Sequence, residues 1–441
     1  MTSYKDHSRQ YDVVLLGATG YTGRYTCEYI VKEFPPYLKW AISGRSEQKL
    51  QKLANSLEEL DSSRELPGMF SYEDSGVDTT LLIIIIAIEI YDTNNEALVA
   101  LVRKAFIVVT CIGPYHIYGE PIFRACAESG THYVDVCGEV VHTKKMSDLY
   151  STDASQSGAI MLPQCGIESA PSDISTWALA QTLQRELGVA TGPVTISLEL
   201  HGSPSGGTLA TVLSLLDSFS IADIRKAFMP YAWSPHSRHN PPVTPQSWWS
   251  RLTGLRKVPG LGLLTTSIAA HTDSALVERS WGLMQVVPSL RPFNYGPDFS
   301  FVEYFRPSGA LHGVMVHLFA VAMQVVMAIP PLRALLRSRM TQPGDGPSRE
   351  QANKETIEYR GIAIPSPDTT GKRAFSHARY AGPMYYLTGL LAMEAARVLL
   401  EVDTKLEGGV YTPACLGDHY TARLADHGFK LETSIVNADS S

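Results

Sequence analysis

The chain has 441 residues, about three times the length of a typical domain, so a single small module is excluded. Hydrophobic residues make up 44% of it and charged residues 18%, a composition that excludes disordered, collagen-like and coiled-coil chains. Acidic residues outnumber Lys and Arg by 44 to 37, so there is no overall positive charge with which to hold nucleic acid.

The cysteines and the N-terminus indicate the compartment in which the chain works. None of the six cysteines belongs to a C-x-x-C pair, and they lie inside apolar runs such as Val109–Ile112, as buried thiols do. We therefore expect neither a disulfide framework nor a bound metal. The first ten residues are polar and lack the apolar stretch of a secretory signal, which predicts a cytoplasmic protein.

The first third of the chain alternates between strands and helices. Tyr11–Leu16 is a continuous apolar run typical of a buried strand, and a glycine-rich turn and a helix at Arg24–Lys32 follow it. The alternation continues with strands at Lys39–Ser43, Leu81–Ile90, Phe106–Ile112, Thr131–Val136 and Ala159–Pro163, and with helices at Glu96–Lys104, Pro121–Ser129 and Lys144–Ser157. This pattern predicts a Rossmann-type, doubly wound parallel sheet over residues 1–163.

The pattern changes after residue 163. Val194–His201 alternates between apolar and polar residues, as in a strand with one solvent-exposed face. Residues 229–262 are rich in Pro, Ser, Trp and Arg, which suggests a long segment at the surface. We predict a second, mixed α/β domain over residues 164–380. Helices at Met384–Glu401 and Thr412–His427 are expected to return to the first domain as a C-terminal segment, residues 381–441.

The glycine-rich turn predicts a dinucleotide site. It has the required context, because a strand precedes it and a helix follows it within one βαβ unit. Its glycines allow a tight turn, approach to a pyrophosphate and close packing of helix on strand, and the helix N-terminus faces the phosphates. The predicted cofactor-binding residues here are Gly17, Ala18, Thr19, Gly20, Tyr21, Thr22 and Gly23. A glycine turn that holds no ligand is the alternative.

The end of the second strand favours NADPH over NADH. NAD enzymes place an Asp or Glu here on the ribose hydroxyl, whereas this chain has Arg45 between Ser43 and Ser46. A guanidinium with two hydroxyls suits the 2′-phosphate of NADPH. Arg45 could instead be a solvated charge at the start of a helix.

A Gly-Pro turn follows another strand. Cys111, Gly113, Pro114 and Tyr115 lie at a carboxyl end of the sheet, where such folds bind ligands, and we predict that they contact the cofactor. Tyr115 and His116 are candidate catalytic residues, because a hydride acceptor needs a proton donor as its charge develops. A rigid turn in which Tyr115 only packs is the alternative.

The junction between the two predicted domains carries acidic residues. Glu168 could line the active cleft, and we include it among the candidate catalytic residues. Pro171 suits the first turn of a helix, and Asp173 is expected to cap that helix rather than to act chemically.

Residues 313–329 form an apolar helix without a formal charge. It is short for a membrane span, which needs about 20 residues, and Pro330 ends it. Arg333, Arg337 and Arg339 follow, as at the surface of an anionic membrane. Burial over an acyl-binding pocket and contact with a membrane surface both stay open, and the shortness of the helix favours burial.

Together these motifs resemble the saccharopine dehydrogenase-like oxidoreductases, including the trans-acting enoyl reductases. The resemblance spans nearly the whole chain and is carried by Gly17–Gly23, Gly44–Ser46, Cys111–Tyr115, Tyr118–Pro121, Thr131–Asp135, Gly138–Glu139, Gly166–Asp173, Ser205–Thr208, Pro343–Pro347 and Gly408–Ala414. It implies a Rossmann domain, a mixed second domain and a nicotinamide cofactor. It further implies an apolar or acyl-chain substrate, a polyketide synthase as partner, and contact with a membrane or lipid-droplet surface. A homodimer is a separate expectation.

Two classes of function follow. In the enzyme interpretation, NADPH delivers hydride to an unsaturated acceptor, most readily an enoyl group of a polyketide or lipid-like chain. In the binding interpretation, the cofactor is structural and the protein works at a lipid surface without turnover. The intact glycine loop and Gly-Pro-Tyr turn favour the enzyme. A saccharopine-type imine reductase is the alternative chemistry, although the middle of the chain has few clustered cations to hold a substrate with several carboxylates.

Overall fold

A computed structural model of the chain describes residues 4–44, 46–60, 68–70, 96–203, 206–238, 247–337 and 346–438. The predicted strand Leu81–Ile90 and the predicted phosphate ligand Arg45 lie outside the described residues.

Strands and helices alternate along the first part of the described chain. They are β1 (Tyr11–Leu16), α1 (Tyr21–Glu33), β2 (Trp40–Ser43), α2 (Glu47–Leu60), β3 (Gly68–Phe70), α3 (Glu96–Lys104), β4 (Ala105–Thr110), α4 (Tyr115–Ser129), β5 (His132–Asp135), α5 (Val140–Ser157) and β6 (Ile160–Leu162). Most residues of β1, β2, β4 and β5 are buried, as expected for a parallel sheet covered on both faces by helices.

Longer strands and more varied helices follow. They are α6 (Ala170–Leu187), β7 (Ala190–His201), α7 (Gly206–Ser218), α8 (Ile221–Ala227), α9 (Trp248–Thr253), β8 (Arg256–Val258), β9 (Gly262–Thr266), α10 (Ala270–Val286), β10 (Ser300–Phe305), α11 (Ala310–Ala328), α12 (Pro330–Arg337), α13 (Arg349–Ala352), β11 (Thr356–Ser366), β12 (Lys372–Ala381), α14 (Met384–Glu401), β13 (Gly409–Val410), α15 (Gly417–Asp426) and β14 (Leu431–Asn437). Short 3₁₀ segments lie at Pro288–Phe293 and Pro413–Leu416.

The described strands form two sheets of seven strands each. The first has the order β13-β6-β5-β4-β1-β2-β3, and all of its pairings are parallel. The second has the order β14-β12-β11-β7-β10-β9-β8 and is antiparallel except where β10 pairs with β7. The prediction of a Rossmann-type sheet followed by a mixed α/β unit is confirmed. We call the two units the first and second lobes.

The C-terminal segment returns to the first lobe, as predicted. Helix α14 packs against α1 so closely that a Cβ atom on Gly389 would lie 2.9 Å from the Cα of Thr26. The sequence analysis was incomplete here, because the predicted last helix is a 3₁₀ turn followed by α15, and β14 was missed. That strand pairs with β12, so the end of the chain also joins the second sheet.

Helix α4 begins at Tyr115 rather than at Pro121, which was a wrong prediction. Pro121 lies inside the helix. The first turn forms because the carboxylate of Glu139 accepts hydrogen bonds from the backbone N–H groups of Tyr115 and His116 at 2.7 and 2.8 Å. Two otherwise unpaired donors are thus satisfied from another loop, which a local sequence pattern cannot show.

The expected surface excursion over residues 229–262 is only partly at the surface. Tyr231 and Trp233 are buried, and α9, β8 and the start of β9 lie in the same stretch. The Trp233 indole donates a hydrogen bond to the hydroxyl of Ser147 in the first lobe, so this segment ties the two lobes together.

Helix α11 is exposed, and the expectation that it is buried over a pocket is wrong. Among its 19 residues only Gly313 and Ala320 are buried. One side rests on β9, where the hydroxyl of Thr265 donates to the carbonyl oxygen of Gly313 at 2.8 Å and Thr266 hydrogen-bonds to His317 at 2.8 Å. Helices α7, α9 and α12 also contact α11, but no described element covers its outward side. Among the described helices it alone is long and apolar enough to cross a membrane.

A buried charged network fixes α14 to α1. Glu394 is fully buried, accepts a hydrogen bond from the hydroxyl of Tyr29 at 2.6 Å, and lies 3.3 Å from the Nε of Arg397. Arg397 also donates to the carbonyl oxygen of Glu33 at 2.7 Å. Burial raises the pKa of Glu394, and the Arg397 charge opposes that rise. The carboxylate is therefore stable only with its partners in place.

We predict that Glu394→Ala lowers the free energy of unfolding by about 3–5 kcal/mol, because it leaves a buried guanidinium without its counter-charge. Chemical denaturation monitored by circular dichroism measures this. Glu350→Ala is the matched control, since Glu350 pairs with Lys354 on an exposed helix turn and should change stability little. Equal losses in both variants would contradict a structural role for the buried network.

Candidate functional site

The loops after β1 and β4 meet where the order of the first sheet reverses. Strand β1 lies between β2 and β4. The strands that follow β1 along the chain are therefore added first on one side of it and then on the other, and this reversal opens a crevice at the carboxyl end of β1. Gly17 adopts a φ of +80°, and its N–H and that of Ala18 donate to the carbonyl oxygen of Ser43 at 2.9 and 3.0 Å. A Cβ on Gly17 would lie 2.8 Å from the side chain of Ile112. Only glycine fits this junction.

The N-terminus of α1 is built to receive an anion. No side chain caps the helix at Gly20, and its first turn has no acidic residue. The helix packs so closely on the loop that a Cβ on Gly23 would lie 2.1 Å from the carbonyl oxygen of Gly17. Free N–H groups at a helix start favour phosphate, so these residues fit the pyrophosphate of NADPH.

Several predicted cofactor residues have roles in holding the loop. Ser43 is buried, and Thr19 lies against Gly44, where a Cβ would be 3.0 Å from its hydroxyl. The Ser46 hydroxyl accepts a hydrogen bond from the N–H of Lys49 and so caps α2. The adjoining Arg45 is not among the described residues, and its contact with a 2′-phosphate stays a prediction.

Tyr21 connects the cofactor loop to the second lobe. Its hydroxyl donates to the carbonyl oxygen of Pro347 at 2.7 Å, and its ring covers Gly346, where a Cβ would lie 2.6 Å from the ring. Tyr25 and Tyr385 pack edge-on against the same ring. The side chain of Tyr21 is therefore committed to contacts between the lobes, which leaves its backbone N–H for a ligand.

His116 and Glu139 form a buried pair at the N-terminus of α4. The Nδ1 of His116 lies 2.6 Å from a carboxylate oxygen of Glu139, and both side chains are almost fully buried. The other ring nitrogen, Nε2, is buried without a hydrogen-bond partner. The carboxylate thus fixes the ring orientation, while solvent does not reach the ring in this structure.

Tyr115 does not face the crevice, which corrects its assignment as a proton donor. The side chain is buried, and its hydroxyl donates to the carbonyl oxygen of Thr110 at 2.7 Å. Burial, followed by the nearby Asp135 charge, holds its pKa well above the usual value. Tyr115 therefore packs beneath the ends of β4 and β5, which is the alternative role that the sequence left open.

The other residues of the Gly-Pro turn stand at the crevice. Pro114 occupies the N-cap position of α4, and Gly113 faces Thr211 of α7, whose hydroxyl would lie 3.7 Å from a Cβ at Gly113. The thiol of Cys111 is 3.7 Å from the hydroxyl of Thr26, and burial raises its pKa to about 12. A thiol with that pKa is uncharged at neutral pH and is not a nucleophile.

Asp135 organises the loops that follow β5 and β6. It accepts hydrogen bonds from the hydroxyl of Tyr133 and from the N–H groups of Cys137 and Gln164, at 2.7, 2.9 and 2.8 Å. Burial raises its pKa to about 6, and these hydrogen bonds oppose the rise. The residue was missed as part of the site, although a single Asp at the end of an apolar strand was visible in the sequence.

Glu168 lies between the lobes. The residue is exposed, and desolvation by the protein around its carboxyl group raises its pKa. We call the space beside this carboxyl group, between Gly138 and the second sheet, the recess. On one side its carboxylate lies 2.6 Å from where a Cβ of Gly138 would be. On the other, the neighbouring Ile167 carbonyl oxygen accepts a hydrogen bond from Tyr359 of the second sheet at 2.9 Å. Glu168 is thus the candidate acid that a bound molecule can reach.

Two further carboxyl groups lie behind Glu168 in the second lobe. Asp273 and Glu303 are each 2% exposed, and Glu303 accepts hydrogen bonds from Ser172 and Ser267, both at 2.7 Å. Burial and the Glu303 charge hold the pKa of Asp273 well above its usual value, and Glu168 adds to that shift. The recess is therefore acidic, and it favours protonated carboxyl groups.

Asp173 has a different role from the predicted helix cap. It is fully buried in α6 and accepts hydrogen bonds from the Ser280 hydroxyl and from the Ala414 N–H. Burial raises its pKa to about 7. Asp173 therefore joins α6 to α10 and to the C-terminal segment.

Comparison with known proteins agrees with this arrangement. The model of the saccharopine dehydrogenase NADP binding domain matches residues 13–161. A Mycobacterium tuberculosis protein, provisionally named a trans-acting enoyl reductase, is 31% identical over 444 residues, with 97% of this chain and 98% of that protein covered. The chain belongs to the saccharopine dehydrogenase-like family. It is an NADP-dependent oxidoreductase of that family, with NADPH as its cofactor.

More distant relatives extend the comparison. A second M. tuberculosis protein, named trans-acting enoyl reductase, is 27% identical over 441 residues, covering 97% of this chain and 98% of that protein. The lipid droplet localized protein of Caenorhabditis elegans is 25% identical over 437 residues, covering 92% and 93%. The structure of apo saccharopine dehydrogenase (L-Glu forming) from Saccharomyces cerevisiae has a TM-score of 0.53 at 10% identity, covering 97% of this chain and 100% of that one, and shows the shared fold.

The two glycines of the loop should respond differently to substitution. A Cβ on Gly20 would meet only the carbonyl oxygen of Gly17, at 3.2 Å, whereas one on Gly23 would clash with backbone. We predict that Gly20→Val keeps the fold and weakens NADPH binding by about 100-fold or more, because its side chain fills the space of the pyrophosphate. Gly23→Ala should also lower the melting temperature.

Fluorescence titration of NADPH and thermal unfolding measure the two effects. Gly309→Thr is the control, because nothing lies within 4 Å of that position and Thr, which is as large as Val, is accepted at the N-cap of α11; it should change neither quantity. A folded Gly20→Val protein that binds NADPH normally would show that the loop is not the cofactor site.

Proposed function

We propose that the protein reduces the carbon–carbon double bond of an enoyl group on an apolar acyl chain, with Glu168 as the proton donor. Three observations support this: the names of the two mycobacterial relatives, the loop that fits NADPH, and an acid of raised pKa in a recess between the lobes. The third carries the assignment of Glu168. By analogy with the relatives' names, the acyl chain would be presented by a partner such as a polyketide synthase.

The chemistry needs one hydride and one proton. The glycine loop would hold NADPH, which when bound would supply the hydride that the β-carbon of the enoyl group needs and would leave as NADP⁺. Glu168 gives its proton to the α-carbon, where negative charge develops, and then recovers a proton from solvent, which reaches its exposed side chain. His116 and Glu139 hold the start of α4, and therefore the Gly113–Pro114 edge of the crevice, in place.

The recess favours an uncharged acceptor over the substrates of a saccharopine-type imine reductase. The groups that shift the pKa of Asp273 are carboxylates and a serine, with no cation among them in the described part of the chain. A substrate with several carboxylates would meet Glu168, and the buried Asp273 and Glu303 behind it add no compensating positive charge. An acyl thioester has no such charge near its double bond.

We predict that Glu168→Gln lowers kcat about 100-fold, because the amide keeps the shape of the side chain but has no acidic proton. The reaction needs protonated Glu168, so wild-type activity should fall as pH rises through its raised pKa. That fall should vanish in the variant. NADPH oxidation with a crotonyl or longer enoyl thioester measures both.

Glu186→Gln is the control, since Glu186 is an exposed glutamate on the solvent side of α6. It should leave rate and pH profile unchanged. Unaltered kcat in Glu168→Gln would assign the proton to another donor, whereas absence of turnover with every enoyl thioester would contradict the enoyl substrate itself.

We also propose that the protein rests on a lipid surface through one face of the second lobe, called here the apolar face. It consists of α9, α11 and α12, which pack side by side. Its exposed side chains are Trp248, Trp249, Leu252, Leu311, Met315, Leu318, Phe319, Val321, Val325, Ile329, Leu332 and Leu335. A soluble surface seldom exposes so continuous an apolar area, and the C. elegans relative is named for lipid droplets.

The composition of this face suits the plane of a membrane. Trp248 and Trp249 are 74% and 54% exposed, and tryptophan prefers the membrane interface. Lys257 is exposed and Arg251 lies in the last turn of α9, so positive charge borders the face. Helix α11 lies along the protein, held on one side by β9, which favours lying in the interface over crossing it.

We predict that the protein floats with vesicles of phosphatidylcholine and phosphatidylserine, and that added salt weakens this binding. Phe319→Asp or Val321→Asp should release it at least tenfold without lowering the melting temperature, since these side chains are 58% and 43% exposed. Leu149→Asp, at an equally exposed leucine of α5, is the control and should still float.

A protein that stays with the buffer while Phe319→Asp converts a dimer to a monomer would contradict the lipid surface. In that case a second copy of the chain would cover the apolar face, and the homodimer expected from the sequence would be the correct assembly. Sedimentation velocity on both proteins distinguishes these outcomes.

A further inference from the structure

A hollow of about 450 Å³ opens where the two lobes meet, away from the cofactor loop. Its walls come from α5 and β13 of the first lobe and from α10 and the segment before Pro235 of the second. None of the residues that line it belongs to the glycine loop, to the Gly-Pro turn or to the recess of Glu168. It is therefore separate from the candidate active site.

Arg279 brings a buried positive charge to this hollow. The residue is 7% exposed, and its guanidinium lies 4.6 Å from the centre of the Trp233 ring. Its two terminal nitrogens donate to the carbonyl oxygens of Trp233 and Val410 at 2.9 and 2.6 Å, whereas its Nε is buried without a partner. Carbonyl dipoles thus hold the group in place, but they do not neutralise it.

No carboxylate of the described residues forms an ion pair with Arg279. Asp148, the acidic residue that lines the rim, is 61% exposed and forms its ion pair with Lys144 on the same helix at 2.6 Å, and its charge acts on Arg279 only without direct contact. Burial lowers the pKa of Arg279 to about 10, so the guanidinium stays protonated at neutral pH. A buried charge is costly unless it is paired, and the missing partner is an anion.

The other residues that line the hollow indicate what the rest of the ligand is like. Ser151 contributes a hydroxyl group, and Leu283, Val287 and Val410 contribute an apolar surface, whereas the hydroxyl of Ser147 is already bonded to Trp233 and Thr143. The volume is typical of a small-molecule site and is much larger than one carboxylate or phosphate needs. The hollow therefore suits an anionic group attached to an apolar body about as large as a phenyl ring with a short chain.

We propose that this hollow is a binding site for a small organic anion, a carboxylate or a phosphate ester on an apolar body, with Arg279 as its counter-charge. The ligand would contact both lobes at once. The site is independent of the proposed reduction and can be tested on protein without substrate or cofactor.

Isothermal titration calorimetry with 3-phenylpropionate tests the proposal, with 3-phenylpropanol as the uncharged analogue. The anion should bind in a saturable manner and at least tenfold more tightly than the alcohol, because only the anion neutralises Arg279. Phenyl phosphate distinguishes the two anion classes: whichever of the two anions binds more tightly identifies the head group. Equal binding of alcohol and anions, or no binding of any probe, would overturn the proposal.

Two matched variants locate the binding without removing the arginine. Ser151→Phe fills the hollow from α5, while Ser155→Phe places the same side chain one turn further on, at an exposed position. The first should weaken binding of 3-phenylpropionate at least tenfold, and the second should leave it within twofold. Unchanged binding in Ser151→Phe would place the anion elsewhere.

Arg279→Gln completes the test, with thermal unfolding and NADPH titration to establish that the protein is folded. A folded variant should bind 3-phenylpropionate and 3-phenylpropanol equally weakly. Retained preference for the anion would show that another charge is responsible. Should this variant fail to fold, the comparison of Ser151→Phe with Ser155→Phe decides the question alone.

Discussion

Helix α14 must be buried on all sides, and both lobes are arranged around it. Fifteen of its 18 residues are buried, and its two buried charges, Glu394 and Arg397, find their partners on α1. The same core continues through α6 to the inner face of the second sheet, so the two sheets share one hydrophobic interior. The lobes are therefore held at a fixed relation, and the crevice at the end of β1 opens along their boundary.

The contact between the lobes determines which acidic groups lie at the candidate site. The exposed Glu168 lies next to the buried Asp273 and Glu303, no cation of the described residues is among the groups that shift the pKa of Asp273, and desolvation raises the pKa of Glu168 and Asp273. Glu139 is also buried, but its carboxylate is hydrogen-bonded to two backbone N–H groups and to the His116 ring. Glu139 thus stabilises a helix start, whereas Glu168 is the group that we propose as the proton donor.

The parts of this structure that the sequence predicted well depend on neighbours along the chain. The β1–glycine loop–α1 unit depends mainly on near neighbours. A Cβ on Gly20 or Gly23 would meet the carbonyl oxygen of Gly17, and a Cβ on Gly17 would meet the residues that follow the adjoining strand β4. The start of α4 was missed because its capping carboxylate lies 24 residues away. The role of Asp173 was missed for the same reason, since its partners Ser280 and Ala414 lie 107 and 241 residues further on. Residue type and position predicted a helix cap, and they could not show that the carboxylate of Asp173 is buried against distant partners.

Helices α11 and α14 show that the hydrophobic pattern alone does not predict which apolar helix is buried, and that the charged residues in a helix give a further indication. Both are apolar around their whole circumference, which predicts burial, yet α14 is enclosed by protein and α11 is largely bare. The difference was present in their charges. A charged side chain inside a buried helix survives only where protein supplies a partner, as it does for Glu394 and Arg397. Helix α11 has no charged residue, which agrees with the lipid contact proposed above, because a lipid chain offers no partner for a charge.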